Sequence, residues 1–135
     1  MDADPRHPPH ELGRWGEERA ARFLIERGWR ILARNYRFGR REVDLVVARD
    51  GVVAFVEVKT RAGTGFGRPE EAVSLLKRRE IEAVATHFLS WRGRLVGRGP
   101  TDTTVRFDVV SVLLDRMSRT VRIDHLEDAW RPGWT

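Results

Sequence analysis

Asp50-Gly51 separates two runs rich in β-branched residues, Glu42 to Arg49 and Val52 to Thr60. An Asp-Gly pair in that setting specifies a two-residue hairpin turn, because both central residues must adopt positive φ. The turn then sets the strand register. If Arg49 pairs with Val52, facing positions sum to 101, which sets Asp44 opposite Glu57 and Glu42 opposite Lys59. Alternation along a pleated strand puts all four on one face with Val53 and Phe55. Opposed residues hold their Cβ atoms about 4.5 to 5.5 Å apart, so two carboxylates there repel unless a cation lies between them. A divalent metal would remove the conflict, and Mg²⁺ is commonly held by one or two carboxylates together with waters and phosphate oxygens. The plainer reading is a solvated face with a Glu42–Lys59 cross-strand ion pair. Against it, the apolar neighbours Val53 and Phe55 imply that the carboxylates enter a partly covered site, where like charges call for a counterion or a function.

The rest of the chain supplies elements around this hairpin. Residues 1–10, with three prolines and two histidines, are expected to form a flexible arm. Helical spacing runs from Glu11 to Arg27, with Gly28 as C-terminal cap. A first strand is expected over Trp29 to Tyr36, and Phe38-Gly39-Arg40 forms the turn into the second. Gly63 to Pro69 is expected as a loop, with Pro69 opening a helix that runs to Trp91. Gly93 to Asp102 is a further loop, and Val105 to Leu114 and Thr120 to Asp124 are the last strands. The expected class is α/β, a central mixed sheet of four or five strands flanked by helices in the order α-β-β-β-α-β-β, with residues 11–135 as one domain.

Composition narrows the chemistry. The 135 residues contain no cysteine, which excludes disulfides, thiolate metal sites and cysteine nucleophiles and suits a reducing cytosol. No apolar run approaches the ~20 residues of a membrane span, and the polar start Met1-Asp2-Ala3-Asp4-Pro5 does not read as a signal peptide. The expected location is therefore cytoplasmic, with no membrane partner. A net charge of +5 favours a polyanion as partner. Among 25 basic side chains only Lys59 and Lys77 are lysine, and where arginine is the default a lysine marks positions suited to a compact, tunable ammonium. Lys77 falls on the apolar stripe of the second helix with Val73, Ile81, Val84 and Phe88, where snorkelling or a contact with Glu80 is the alternative to a functional role. Glu17 lies in the stripe of the first helix with Gly13, Ala20, Ala21 and Leu24, and either a structural bond or a site explains it.

Other motifs carry less. Gly63-x-Gly65-x-Gly67 lacks the dinucleotide-binding spacing and precedes Glu70 and Glu71, which repel phosphate. His7, His10, His87 and His125 show no metal-ligand spacing. Arg106 and Asp108 alternate with apolar neighbours and read as a polar strand face with local pairing.

A helix bearing a glutamate, followed by Glu42-Val43-Asp44 and Glu57-Val58-Lys59 on a hairpin, resembles the restriction-endonuclease-like nucleases with their D…E-x-K signature. More closely, the chain resembles the YraN-like family of uncharacterised bacterial proteins, itself similar to archaeal Holliday junction resolvases. The matching pieces run in order along most of the chain: Gly13 to Ala20, Arg34 to Arg37, Arg41 to Val46, Phe55 to Arg61, Phe66 to Val73 with Lys77, Arg106 to Val110, and Ile123 to Trp130. Arg41 departs from the pattern, which has glycine there, and a backbone adjustment is expected. The resemblance implies the restriction-endonuclease-like fold and a Mg²⁺- or Mn²⁺-dependent endonuclease acting on DNA, branched or junction DNA by likeness to resolvases. It implies Asp44 and Glu57 as metal ligands near the Val58 carbonyl, Glu17 completing the metal shell, and Lys59 beside the attacking water, making these four the expected catalytic set. Arg37, Arg40, Arg61 and Lys77 are the expected nucleic-acid contacts, and a homodimer is the assembly to test. The rival expectation is a nucleic-acid-binding protein that keeps the fold without cleaving.

Overall fold

The computed structural model describes residues 9–63, 73–92 and 103–133. Helix α1 spans Pro9–Glu26, β1 Arg30–Phe38, β2 Arg41–Arg49, β3 Val52–Ala62, α2 Leu75–Arg92, β4 Thr104–Asp115 and β5 Thr120–Trp130. The element order expected from sequence is the one observed. The strands form one sheet in the order β1-β2-β3-β4-β5. Neighbours are antiparallel except β3 and β4, which run parallel and are joined through α2. Adjacent parallel strands need such a crossover, whereas β1 to β3 need only tight turns.

Each helix covers one face of the sheet. Ala20, Ala21 and Leu24 of α1 pack on Leu45, Val47, Ala54, Val56, Val110 and Val112. Ile81, Val84, Ala85 and Phe88 of α2 pack on Val46, Val53, Phe55, Phe107 and Val109. The central strands are therefore apolar on both sides, as a covered sheet requires. Gly16 brings α1 close to β3, since a Cβ there would lie 2.8 Å from the Thr60 Cβ. This mixed sheet with a helix on each face is consistent with the restriction-endonuclease-like architecture.

Several boundaries differ from expectation for local reasons. Pro9 and His10 belong to the first turn of α1, and residues 1–8 of the expected arm lie outside the described residues. At the other end Gly28, at φ +90, donates its N–H to Ile25, and Trp29 donates to Leu24, each at 3.0 Å. These bonds form the Schellman pattern that glycine favours. Helix α2 begins after Ser74, whose side chain caps it by accepting the Lys77 N–H at 3.1 Å, while Pro69, the expected helix start, lies outside the described residues. The expected Gly63 to Pro69 loop falls mostly, and the Gly93 to Asp102 loop wholly, outside the described residues. Arg41 opens β2 opposite Phe38, and the positive φ of that turn falls on Gly39 at 65°. Strand β5 continues six residues past Asp124 because an irregularity opposite Asp108 lets it turn back to Trp130.

Candidate metal and phosphodiester site

The Asp50-Gly51 turn has φ of 49° and 78°, and pairing follows the expected register from Arg49–Val52 to Leu45–Val56. There the β2–β3 ladder stops. β2 stays paired with β1 as far as Arg41, so β2 and β3 fork at Asp44. Alternation from the Arg49–Val52 pair would make Val43–Val58 the next hydrogen-bonded pair. Instead the Val58 N–H is donated to Asp44 Oδ2 at 2.7 Å. The side chain of Asp44 thus occupies the gap between the strands.

Asn35 stands across from Asp44, between the pairs Arg34–Leu45 and Tyr36–Val43, and its φ is 48°. Asparagine tolerates this left-handed conformation better than most residues. The alternation of β2 changes at the same place. Leu45 and Val47 pack on the α1 side, yet Val43 joins the α2 side with Val46. Glu42 is consequently not set against Lys59 as strict alternation required. It lies 3.6 Å from Arg37 Nη2, and its carbonyl accepts from Lys77 Nζ at 3.4 Å.

Glu57 is 4% exposed. Its Oε2 lies 3.6 Å from Lys59 Nζ, while its Oε1 is buried with no hydrogen-bond partner. A buried carboxylate oxygen without a partner is costly, and native structures seldom tolerate one without a role. Burial first, then the charge of Glu57 and a hydrogen bond with it, push the Asp44 carboxyl up to about 8, against the pull of the Val58 N–H and Lys77. The structure therefore brings Asp44, Glu57, Lys59 and Lys77 together.

Glu17 approaches the fork from the α1 face and is held by Asn35 Nδ2, 2.9 Å from its Oε1. Burial raises its pKa, the Asn35 amide opposes this, and Asp44 and Glu42 raise it further. Among the described residues no three carboxylate or imidazole groups converge as a metal cluster, and Glu17 lies close enough to Asp44 to feel its charge. Lys77 reaches both the Glu42 carbonyl and, at 3.9 Å, Glu80, so the helical contact and the position by the site coexist. Arg37, Arg40 and Arg61 are exposed on β1, its turn and β3.

The acidic pair fits a divalent cation on two observations. Glu57 Oε1 is buried without a hydrogen-bond partner, and burial together with the neighbouring Glu57 charge raises the Asp44 carboxyl to about 8. Hard divalent ions take such oxygen donors.

Sequence reasoning missed two residues of this region. Asn35 positions Glu17 and breaks the strand opposite Asp44, and a poor strand former inside Arg34 to Arg37 was the available signal. Asp108, read as a polar strand residue, is fully buried. Its Oδ1 accepts from Arg106 Nε at 2.9 Å and from the Asp128 N–H at 3.0 Å, and its Oδ2 accepts from Arg106 Nη2 at 2.9 Å. Oδ2 also lies 2.7 Å from His125 Nε2. The local pairing with Arg106 was legible. The anchoring of β5 was not.

Among the described residues no helix is long and apolar enough to cross a membrane. A family model described as "Uncharacterised protein family UPF0102" matches residues 16–112. A "UPF0102 protein" of Chlorobaculum parvum is 43% identical over 128 residues, covering 92% of this chain and 95% of the relative. One from Nocardia farcinica is 48% identical over 116 residues, 86% of each chain. One from Pelotomaculum thermopropionicum is 40% identical over 119 residues, 88% of this chain and 94% of the relative.

Proposed function

The chain belongs to the uncharacterised protein family UPF0102, and we propose that it is a Mg²⁺- or Mn²⁺-dependent endonuclease that hydrolyses phosphodiester bonds in DNA. The observation that carries this reading is the pairing of half-buried Asp44 with buried Glu57 at the strand fork, with one Glu57 oxygen unpartnered and Lys59 beside it. A surface built only to bind a polyanion gains nothing from carboxylates facing it.

Asp44 and Glu57 would hold the cation, which when bound supplies charge neutralisation at the phosphate and a more acidic water. In hydrolysis, water adds to phosphorus and one P–O ester bond breaks, leaving a phosphomonoester and a hydroxyl. Lys59 contributes a positive charge where negative charge accumulates on the phosphoryl oxygens. Its side chain is 26% exposed, so it is anchored by Glu57 yet reachable by substrate. The Val58 N–H fixes the Asp44 carboxylate through Oδ2, so the ligand is oriented before anything binds. Lys77, bridging α2 to the Glu42 carbonyl, adds a second cation on the substrate side. Exposed Arg37, Arg40 and Arg61 would contact phosphates without reading bases. Branched or junction DNA is the preferred substrate by motif resemblance to resolvases.

The test is nicking of supercoiled plasmid and of a four-way junction, with Mn²⁺ and with chelator. Metal-dependent cleavage lost in Asp44→Ala, Glu57→Ala and Lys59→Ala is expected. Tight, salt-sensitive binding with no cleavage of any substrate would leave a binding protein in its place.

A further inference from the structure

An aromatic ladder stands on the α2 face beside the fork and takes no part in holding the carboxylates. Phe38 stacks flat on the His87 imidazole, with ring centroids 4.3 Å apart and planes at 12°. Trp91, one helical turn beyond His87, follows at 6.2 Å with its plane tilted by 40° to the imidazole. The ladder is held from the core outward: the Tyr36 hydroxyl bonds His87 Nδ1 at 2.8 Å, and the Tyr36 ring packs edge-on against buried Phe88 at 5.1 Å. It nevertheless ends in solvent, with Trp91 75% exposed and Phe38 39% exposed. The β1–β2 hairpin that presents Phe38 also carries exposed Arg37, Arg40 and Arg41.

We propose that this ladder is a stacking platform for an unpaired nucleobase of the nucleic acid engaged at the fork; the proposal rests on the nucleic-acid reading above. Rigid flat rings fringed by cations match a ligand that is both polyanionic and rich in flat rings, and such stacking is tolerant of base identity. A paired duplex keeps its base faces covered, so the platform serves strands with an unstacked base. Position supports the link to the site: Phe38 faces Arg41, which is three residues along β2 from Asp44, about 10 Å. A second copy of the chain is the poorer occupant, because it would set one arginine-rich hairpin against another.

The platform is tested by equilibrium binding in chelator, where no cleavage occurs. The probes are a duplex bearing a single-stranded flap with 2-aminopurine at the branch, and a fully paired duplex of the same length. The native chain is expected to bind the flapped probe about tenfold more tightly than the paired one and to quench the 2-aminopurine. Trp91→Ala alone, and Phe38→Ala with Trp91→Ala, should remove that preference and the quench while leaving paired-duplex affinity and its salt dependence unchanged. Unaltered preference and quench in both variants overturn the platform, as does a variant that dissociates a dimer in sedimentation. Native binding to paired duplex with no flap preference defeats the platform alone. Binding to neither probe at low salt defeats the nucleic-acid reading as well.

Discussion

Replacing Asp44 by asparagine should stabilise the metal-free protein, increasingly so as pH rises. The substitution keeps the shape and an oxygen for the Val58 N–H, while its amide can donate to Glu57 as the protonated carboxyl does. The Asp44 carboxyl is pushed from an ordinary 3.8 up to about 8 in the fold, by burial and then by Glu57. A group raised in this way binds its proton more tightly folded than unfolded. Its contribution is fully present below pH 3.8 and is lost as pH rises through about 8. At about 1.4 kcal/mol per pH unit, the native chain loses roughly 4 kcal/mol between pH 4 and pH 7, and about 1.4 kcal/mol more by pH 8 and above. The amide does not titrate and escapes that loss, so the native and Asp44→Asn proteins should melt together near pH 4 and separate by roughly 10–15 °C at pH 7 for a domain of this length. Thermal melts in chelator from pH 4 to pH 9, read by circular dichroism, measure the gap. A gap that does not change with pH, or a variant less stable throughout, would refute the placement of two carboxylates in one covered fork. Saturating Mg²⁺ should narrow the gap by stabilising the native chain alone, by about 2.7 kcal/mol at a hundredfold excess over the dissociation constant.

Three further substitutions test other parts of the structure. Lys59→Ala should abolish Mn²⁺-dependent nicking in a protein that still folds but melts lower, because buried Glu57 loses its ion-pair partner, and Lys59→Arg should not restore nicking, because a planar guanidinium replaces a compact ammonium. Gly16→Ala should cost roughly 1–3 kcal/mol in urea denaturation, since its Cβ meets the Thr60 side chain, and the cost should shrink in a Thr60→Ala background. Asp108→Ala should cost roughly 3–5 kcal/mol at neutral pH by removing the partner of His125 and leaving Arg106 only its ion pair with the more exposed Glu127. Hydrogen bonds from His125 and Arg106 outweigh burial and hold the Asp108 carboxyl below its ordinary value, so its contribution is present above pH 3.8 and fades as acid protonates it.

What was legible in the sequence was local. Asp50-Gly51 specified both the turn and five pairs of the β2–β3 ladder, because two residues with positive φ leave the flanking strands no other register. The inward stripes of α1 and α2 were equally readable, since helical spacing alone places Ala20, Leu24, Val84 and Phe88 against the sheet. The fork was not legible. It depends on Asn35 turning left-handed in a neighbouring strand and on the Asp44 side chain capturing a backbone N–H, and neither is a property of the residues' own spacing. The same holds for the start of α2, which Ser74 caps through the Lys77 N–H, and for Asp108, whose partner His125 is 17 residues away and whose buried setting resembles an exposed alternation in one dimension. Tyr36 and His87, 51 residues apart, meet only through the packing of α2 on β1.

The most direct test is a crystal soaked in Mn²⁺ near pH 8, read by anomalous scattering at the manganese edge. A peak between Asp44 and Glu57, within bonding distance of Glu57 Oε1, is the expected result. No peak at saturating metal, or one held by other side chains with the pair still sharing its proton, would contradict it.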